Sequence, residues 1–274
     1  MSYSKYYLYK KQVSFDSGVT WSDVTPLETT ASGSPIATYS TLAECEGQTP
    51  SYSGQYLTFV AQESGTFTFT PRSANTISYS LDSGSTWTQG NSVSVSSGQK
   101  VMWKGTMTPI ASYPNYGIGF FSSSGRFIVE GNPMSLLFGD NFSGQTDLSG
   151  KDYTFAYLFD GCTTLTSVEN LVLPATTLSD GCYAFMFNGC RSLTTAPELL
   201  ATTLAEYCYF CMFNGCRSLN YIKCLATDVS VYLCTSNWVY NVSSSGTFVK
   251  NSSMTSWSSG NNGIPNGWTV QNAT

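Results

Sequence analysis

Three near-copies of one octapeptide occupy the second half of the chain: LFDGCTTL at residues 158–165, MFNGCRSL at 186–193 and MFNGCRSL at 212–219. They are spaced 28 and 26 residues apart, with PATTL at 174–178 and LATTL at 200–204 between them. The phase outlasts the likeness. Cys182, Cys208 and Cys234 stand 26 apart, and Trp238 falls where Met186 and Met212 fall. Upstream, TDLSGKDYTFAYLF resembles TTLSDGCYAFMF with a two-residue adjustment. A period in the twenties predicts a solenoid, because each coil is too small to bury its apolar side except against its neighbours. About four coils are predicted between Met134 and Ser245 on this period.

Each coil has a readable form. Leu165-Thr-Ser-Val168, Leu193-Thr-Thr-Ala196 and Leu219-Asn-Tyr-Ile222 suit a short strand with alternate residues facing inward. CYAFMF and CYFCMF then place apolar side chains on a predicted helical or 3₁₀ turn, which N-G-C closes. Together these elements resemble the BspA-type leucine-rich repeats of gut-bacterial surface proteins and their phages. Their A-F-x-x-C element has counterparts here in M-F-N-G-C at 186–190 and 212–216 and in L-F-D-G-C at 158–162. The resemblance covers residues 134–245 and implies a solenoid whose core holds Leu165, Leu193 and Leu219 with Phe159, Phe187 and Phe213. Residues 246–274 depart from the repeat and are expected to form a C-terminal β-cap over the last apolar face.

A second repetition lies outside the array. SFDSGVTW at 14–21 returns as SLDSGSTW at 80–87. Asp-Ser-Gly between residues that alternate in polarity is a hairpin signal. Asp16 and Asp82 can accept backbone N–H groups two or three residues on. Gly18 and Gly84 supply positive φ, and Trp21 and Trp87 fold a ring under each turn. The string resembles the Asp-box of sialidases and related propellers, where the box is a structural turn away from the catalytic centre. A propeller needs several four-stranded blades, for which few strands remain here. Both boxes are therefore expected to be structural.

Between residues 49 and 133, YLTFVAQ, TFTFTP, ISYSLD, NSVSVSS, QKVMWKG and GRFIVEG read as short strands of a small antiparallel sandwich. Residues 1–48, too few for a strong core of their own, read as a small β unit that docks on a partner or on the next domain. The expected fold is thus mainly β in four parts: 1–48, 49–133, 134–245 and 246–274.

Nine cysteines raise the question of disulfides or metal. Eight lie between residues 162 and 234, with Cys45 apart. Stacked coils would align Cys162, Cys190 and Cys216 in one column and Cys182, Cys208 and Cys234 in another, with parallel Cβ vectors that suit a disulfide poorly. Only Cys208 and Cys211 have the Cys-x-x-Cys spacing of a zinc knuckle. The expectation is a column of small apolar thiols, without metal or cofactor.

The chain contains no histidine, which removes Ser-His-Asp, Cys-His and His-metal chemistry. Its carboxylates are scattered: Asp16, Asp82, Asp140, Asp160 and Asp180 fall in turns, and Glu130, Glu169, Glu198 and Glu206 share no spacing. A non-enzyme is expected. Charged residues are only 11%, and a net charge of −5 argues against a nucleic-acid groove. No 18-residue apolar run marks a membrane span. The opening MSYSKYYLYKKQVSFD has no continuous apolar stretch of secretory type, so the chain is expected to be made in a cytoplasm.

Three function classes remain. The leading expectation is a phage virion component (tail, fibre or head surface) that docks on other virion proteins through its N-terminal unit, forms a homo-oligomer and presents the solenoid to a host protein or glycan. YYLYKKQVSFDSGVTWSDVTP also resembles the start of virion proteins from phages of gut bacteria. A BspA-like bacterial surface adhesin is the alternative, and a carbohydrate-active enzyme, supported only by the Asp-boxes, comes last. Coils differ most around the Cys-Tyr segment, so Tyr183, Phe185, Tyr209 and Phe210 form the candidate binding surface.

Overall fold

The computed structural model describes residues 54–72, 75–109 and 117–273, together with the backbone of four strands before residue 40. The protein is mainly β, with one α-helix of four residues, α1 (Ser135–Phe138), among the described residues. Its contacts divide it into two compact units, Met1–Ser51 and Tyr52–Thr274. The second unit spans the three parts expected after residue 48.

In the first unit β1 (Tyr3–Tyr7), β2 (Lys10–Ser14), β3 (Ser22–Val24) and β4 (Thr38–Tyr39) form an antiparallel sheet in the order β3-β2-β1-β4. β2 and β3 flank the first Asp-box and pair antiparallel, with Lys11 opposite Val24. Asp16, Gly18 and Trp21 themselves lie outside the described residues, as does Cys45.

In the second unit the strands are β5 (Leu57–Ala61), β6 (Gly65–Pro71), β7 (Ile77–Ser80), β8 (Thr88–Gln89), β9 (Ser92–Val95), β10 (Lys100–Gly105), β11 (Gly119–Ser123), β12 (Phe127–Glu130) and β13 (Leu165–Ser167). They form two open sheets, β13-β12-β5-β10-β7-β8 and β11-β6-β9. Alternate residues face inward, as Val93 and Val95 do in β9. Phe59 and Trp103 of the larger sheet meet Phe121 of the smaller at centroid distances of 4.7 and 5.1 Å. Such tilted aromatic contacts add to the burial of large apolar rings.

Chain continuity between this region and the repeats has a physical basis. β12 pairs in parallel with β13, and the Phe121 ring stacks on Phe159 at 6.0 Å. No core boundary exists at residue 133.

The repeats form successive turn segments with the three-residue bonds of the expected 3₁₀ turn, but no continuous helix. Within a segment, bonds run three residues back: the N–H groups of Ala156, Leu158 and Asp160 donate to the carbonyls of Tyr153, Phe155 and Tyr157. The intervening N–H groups donate to the next coil. Those of Phe155, Tyr157 and Phe159 reach the carbonyls of Cys182, Ala184 and Met186 at 2.8–3.0 Å. The same pattern links Tyr183, Phe185 and Phe187 to Cys208, Phe210 and Met212, and Tyr209, Cys211 and Phe213 to Cys234, Ser236 and Trp238. A helix could not do this, because its interior N–H groups are all used within the helix.

The device that frees them is a left-handed residue every fourth position. Tyr153, Tyr157 and Gly161 have φ of 53°, 64° and 70°; Gly181, Phe185 and Gly189 follow at 60°, 57° and 71°. Tyr207, Cys211 and Gly215 repeat the pattern at 54°, 51° and 76°, then Leu233, Asn237 and Asn241 at 49°, 51° and 58°. Glycine or asparagine at the third position of each set accepts this conformation cheaply. The other side chains are held there by the stack around them.

Side chains of equal phase pile into columns. Phe159, Phe187 and Phe213 stack at 5.5 and 5.7 Å with planes 7° and 4° apart. Phe155, Tyr183 and Tyr209 stack at 5.8 and 6.2 Å, and Trp238 then covers both columns. Leu165, Leu193, Leu219, Phe159, Phe187 and Phe213 are all fully buried, as the sequence predicted. The predicted short strands form only in part: β13 and β14 (Tyr221–Cys224) are strands, whereas at 193–196 a single parallel bridge joins Thr195 to Tyr221.

Residues 246–274, expected to form a C-terminal β-cap, carry two further strands that extend the parallel ladder. β14 pairs with β15 (Thr247–Lys250) and β15 with β16 (Thr269–Asn272). Trp257 extends the ring column by stacking on Trp238 at 5.6 Å and 9°.

Candidate functional site

The second Asp-box is a closed hydrogen-bond circuit. Asp82 accepts the Thr86 N–H at 2.9 Å, the Thr86 hydroxyl at 2.6 Å and the Ser80 hydroxyl at 2.7 Å. The Ser80 hydroxyl in turn accepts the Gly84 N–H at 2.9 Å, with Gly84 at φ 87°. The Trp87 indole donates to the Gly84 carbonyl at 3.1 Å. Bonds from Thr86 first, then Ser80, hold the Asp82 carboxyl down at about 2. Its neighbour cluster is also internally paired. Lys104 lies 4.2 Å from the centre of the Trp87 ring and bonds Asp140 at 2.7 Å, and Asp140 accepts the Tyr56 hydroxyl at 2.7 Å. Desolvation, then the bond to Asp140, pushes Tyr56 up to about 12.

The thiol columns have an ordered chemistry too. Cys162, Cys190 and Cys216 each place Sγ within 3.3, 3.1 and 3.0 Å of the carbonyls of Phe121, Phe159 and Phe187 in the preceding layer. The eight described cysteines are free and buried, and burial pushes the thiols of Cys182 and Cys224 up to about 12. Among the described residues no group of three or more His, Cys, Asp or Glu is placed to hold a metal ion. No described helix is long and apolar enough to cross a membrane.

The candidate binding residues separate into two pairs. Tyr183 and Tyr209 are each only 1% exposed and belong to the ring column of the core, so they present no surface. This corrects their expected role. The physical reason is phase: Tyr183 and Tyr209 stand where Phe155 stands in the preceding repeat, and the three rings stack in one buried column. Phe185 and Phe210 remain partly exposed and line a cleft of about 350 Å³ with Tyr153, Tyr157, Ala184 and Tyr207.

The cleft lies where the middle repeat carries the small residues Gly181 and Ala184 among the rings of its neighbours. Tyr153, Gly181 and Tyr207 share one phase, left-handed in all three, and Ala156, Ala184 and Phe210 share another of ordinary backbone. With no side chain at Gly181, the Tyr153 ring lies where a Cβ of that residue would stand. Tyr157 stacks on Phe185 at 4.6 Å and 7°, Phe185 meets Phe210 edge-on at 5.2 Å, and Tyr207 meets Phe210 and Tyr232 edge-on at 5.7 and 5.4 Å. Tyr232 is 60% exposed, so the row of rings continues into solvent. Desolvation, then the bond to Tyr232, raises the Tyr207 hydroxyl, with Glu206 adding a smaller charge effect.

Sequence reasoning missed Tyr153, Tyr157, Gly181, Tyr207 and Tyr232. The available signal was the phase: Gly181 replaces the tyrosine of the coils before and after it. No protein-family model, curated protein or solved structure matches the chain.

Proposed function

We propose that this chain is a non-enzymatic attachment protein of a bacteriophage virion, in which a leucine-rich-repeat-like solenoid presents the aromatic cleft to a surface partner. On this reading the two sheets of residues 54–133 are an antiparallel β-sandwich that seats the first coil, and the N-terminal unit docks on other virion proteins. The observation that carries the reading is a row of partly exposed rings that ends in the exposed Tyr232. Core rings are locked in columns, while Tyr157, Phe185, Phe210, Tyr207 and Tyr232 run along the outside of successive coils. Exposed apolar clusters of this kind mark interaction surfaces more often than they occur idly. The repeat resemblance and the scarcity of charge accord with it. A bacterial surface adhesin would use the same cleft, and location separates the two.

The experiment is to purify particles of the phage whose genome encodes the chain and analyse their proteins by mass spectrometry. The chain should be present in stoichiometric amount, and antibody against residues 134–245 should lower adsorption to host cells. Absence from purified particles, with the chain found on the bacterial envelope, overturns the virion assignment in favour of the adhesin.

A further inference from the structure

We infer that the aromatic cleft beside Ala184 takes an uncharged sugar chain, held by ring stacking and by hydroxyl contacts from its tyrosines. This rests on the attachment reading and names the chemistry of its partner. The cleft walls are four aromatic side chains beside Ala184 and Phe185, and its polar groups are the tyrosine hydroxyls of residues 153, 157 and 207. No lining residue carries a formal charge at neutral pH. A neutral pyranose has the matching character, with C–H faces that lie on flat rings and hydroxyls that meet phenols at its edge. The volume, about 350 Å³, sits at the lower end of the roughly 300–1,000 Å³ usual for small-ligand pockets.

Charge around the cleft narrows the choice further. Asp180 and Glu206 directly precede Gly181 and Tyr207, and both are exposed. Their backbones lie in the same ladder, the Asp180 carbonyl accepting the Tyr153 N–H at 2.7 Å and the Glu206 carbonyl the Gly181 N–H at 2.8 Å. With a chain net charge of −5, this rim repels sialylated, sulfated or phosphorylated glycans. Carboxylates can also accept sugar hydroxyls. A basic peptide would suit the rim, but no carboxylate lines the cleft to pair with its charge inside.

Ala184→Phe tests the inference within the logic of the repeat. Ala184 lines the cleft and Phe210 holds the same phase 26 residues on, so a phenylalanine at 184 repeats a ring the array already carries and fills the cleft. The partly exposed Phe185→Ala is a second variant that removes a wall without inserting bulk. The full chain and both variants are applied to an array of neutral and acidic glycans, with oligolysine as the basic competitor. Wild type is expected to retain neutral glycans, insensitive to salt from 50 to 300 mM. Both variants, each with the wild-type circular-dichroism spectrum at the assay temperature, are expected to lose binding tenfold or more. Retention of acidic glycans or oligolysine instead, no retention of any neutral glycan, or neutral binding unchanged in both variants overturns the inference. If wild type still attaches to cells in those cases, the attachment reading stands and only the sugar assignment falls. If the chain is absent from particles, the virion reading falls whatever the array shows.

Discussion

Replacing Phe187 with alanine probes the ring column at its centre. The side chain is fully buried between Phe159 and Phe213, with nearly parallel planes on both sides. An aromatic side chain buries about 150–250 Å². At about 25 cal/mol per Å² that corresponds to roughly 4–6 kcal/mol for the whole side chain. Alanine keeps part of this, and measured Phe→Ala losses of about 3–5 kcal/mol include the cavity left behind. A loss of about 4 kcal/mol is therefore expected. Phe185, two residues away and only partly buried, should lose about half as much on the same area scale. Repeat arrays need not unfold in one step, so the local reading is hydrogen exchange. The Phe187 N–H bonds the Met212 carbonyl at 3.0 Å and the Phe159 N–H bonds Met186 at 2.9 Å. Both amides should exchange about a thousandfold faster in Phe187→Ala, since 1.4 kcal/mol is about tenfold. If these rates stay within threefold of wild type, or if Phe185→Ala costs as much as Phe187→Ala, the column does not hold the coils together and the packing argument fails.

Three further outcomes are expected. Tyr183→Phe removes a hydroxyl buried without a hydrogen-bond partner among the described residues, so the urea midpoint should hold or rise; Tyr183→Ala should lower it as a core cavity does, rather than act as a surface change. Asp82 titrates at about 2 instead of its ordinary 3.8, so its contribution to the β7–β8 hairpin is present above about pH 4 and drains away as pH falls through 2. Amide protection of Thr88 and Gln89 followed by NMR between pH 5 and 2 should show this loss, and Asp82→Ala should abolish the pH dependence. Iodoacetamide at pH 8 should leave Cys182, Cys190, Cys216 and Cys224 unlabelled until denaturant is added, because burial raises all four thiols; native labelling at these positions would refute a closed core.

Much of the core was legible in the chain itself, because periodicity is a local property. The 26–28-residue spacing alone placed Phe159, Phe187 and Phe213 in one column, and the Asp-Ser-Gly string at residue 82 announced its own turn. Alternation likewise marked the inward faces of strands such as β9. Each of these depends on neighbours a few residues away, or on one repeated interval.

What only the tertiary structure decided is where the turns point. The same residues, CYAFMF, satisfy a helical pattern on paper, yet the N–H groups of every second residue go to the next coil, and stacking puts Tyr183 in the buried ring column while Phe185 stays partly exposed. That choice depends on a neighbour 26 residues away accepting each bond. The continuity of the ladder through β15 and β16, where the motif has faded, has the same origin: backbone groups pair irrespective of side-chain likeness. The cleft is a tertiary fact of the simplest kind. Gly181 reads as an ordinary turn glycine until the repeats are stacked, and only then does the Tyr153 ring take the place of its missing side chain, in the wall of the cleft that Ala184 also lines.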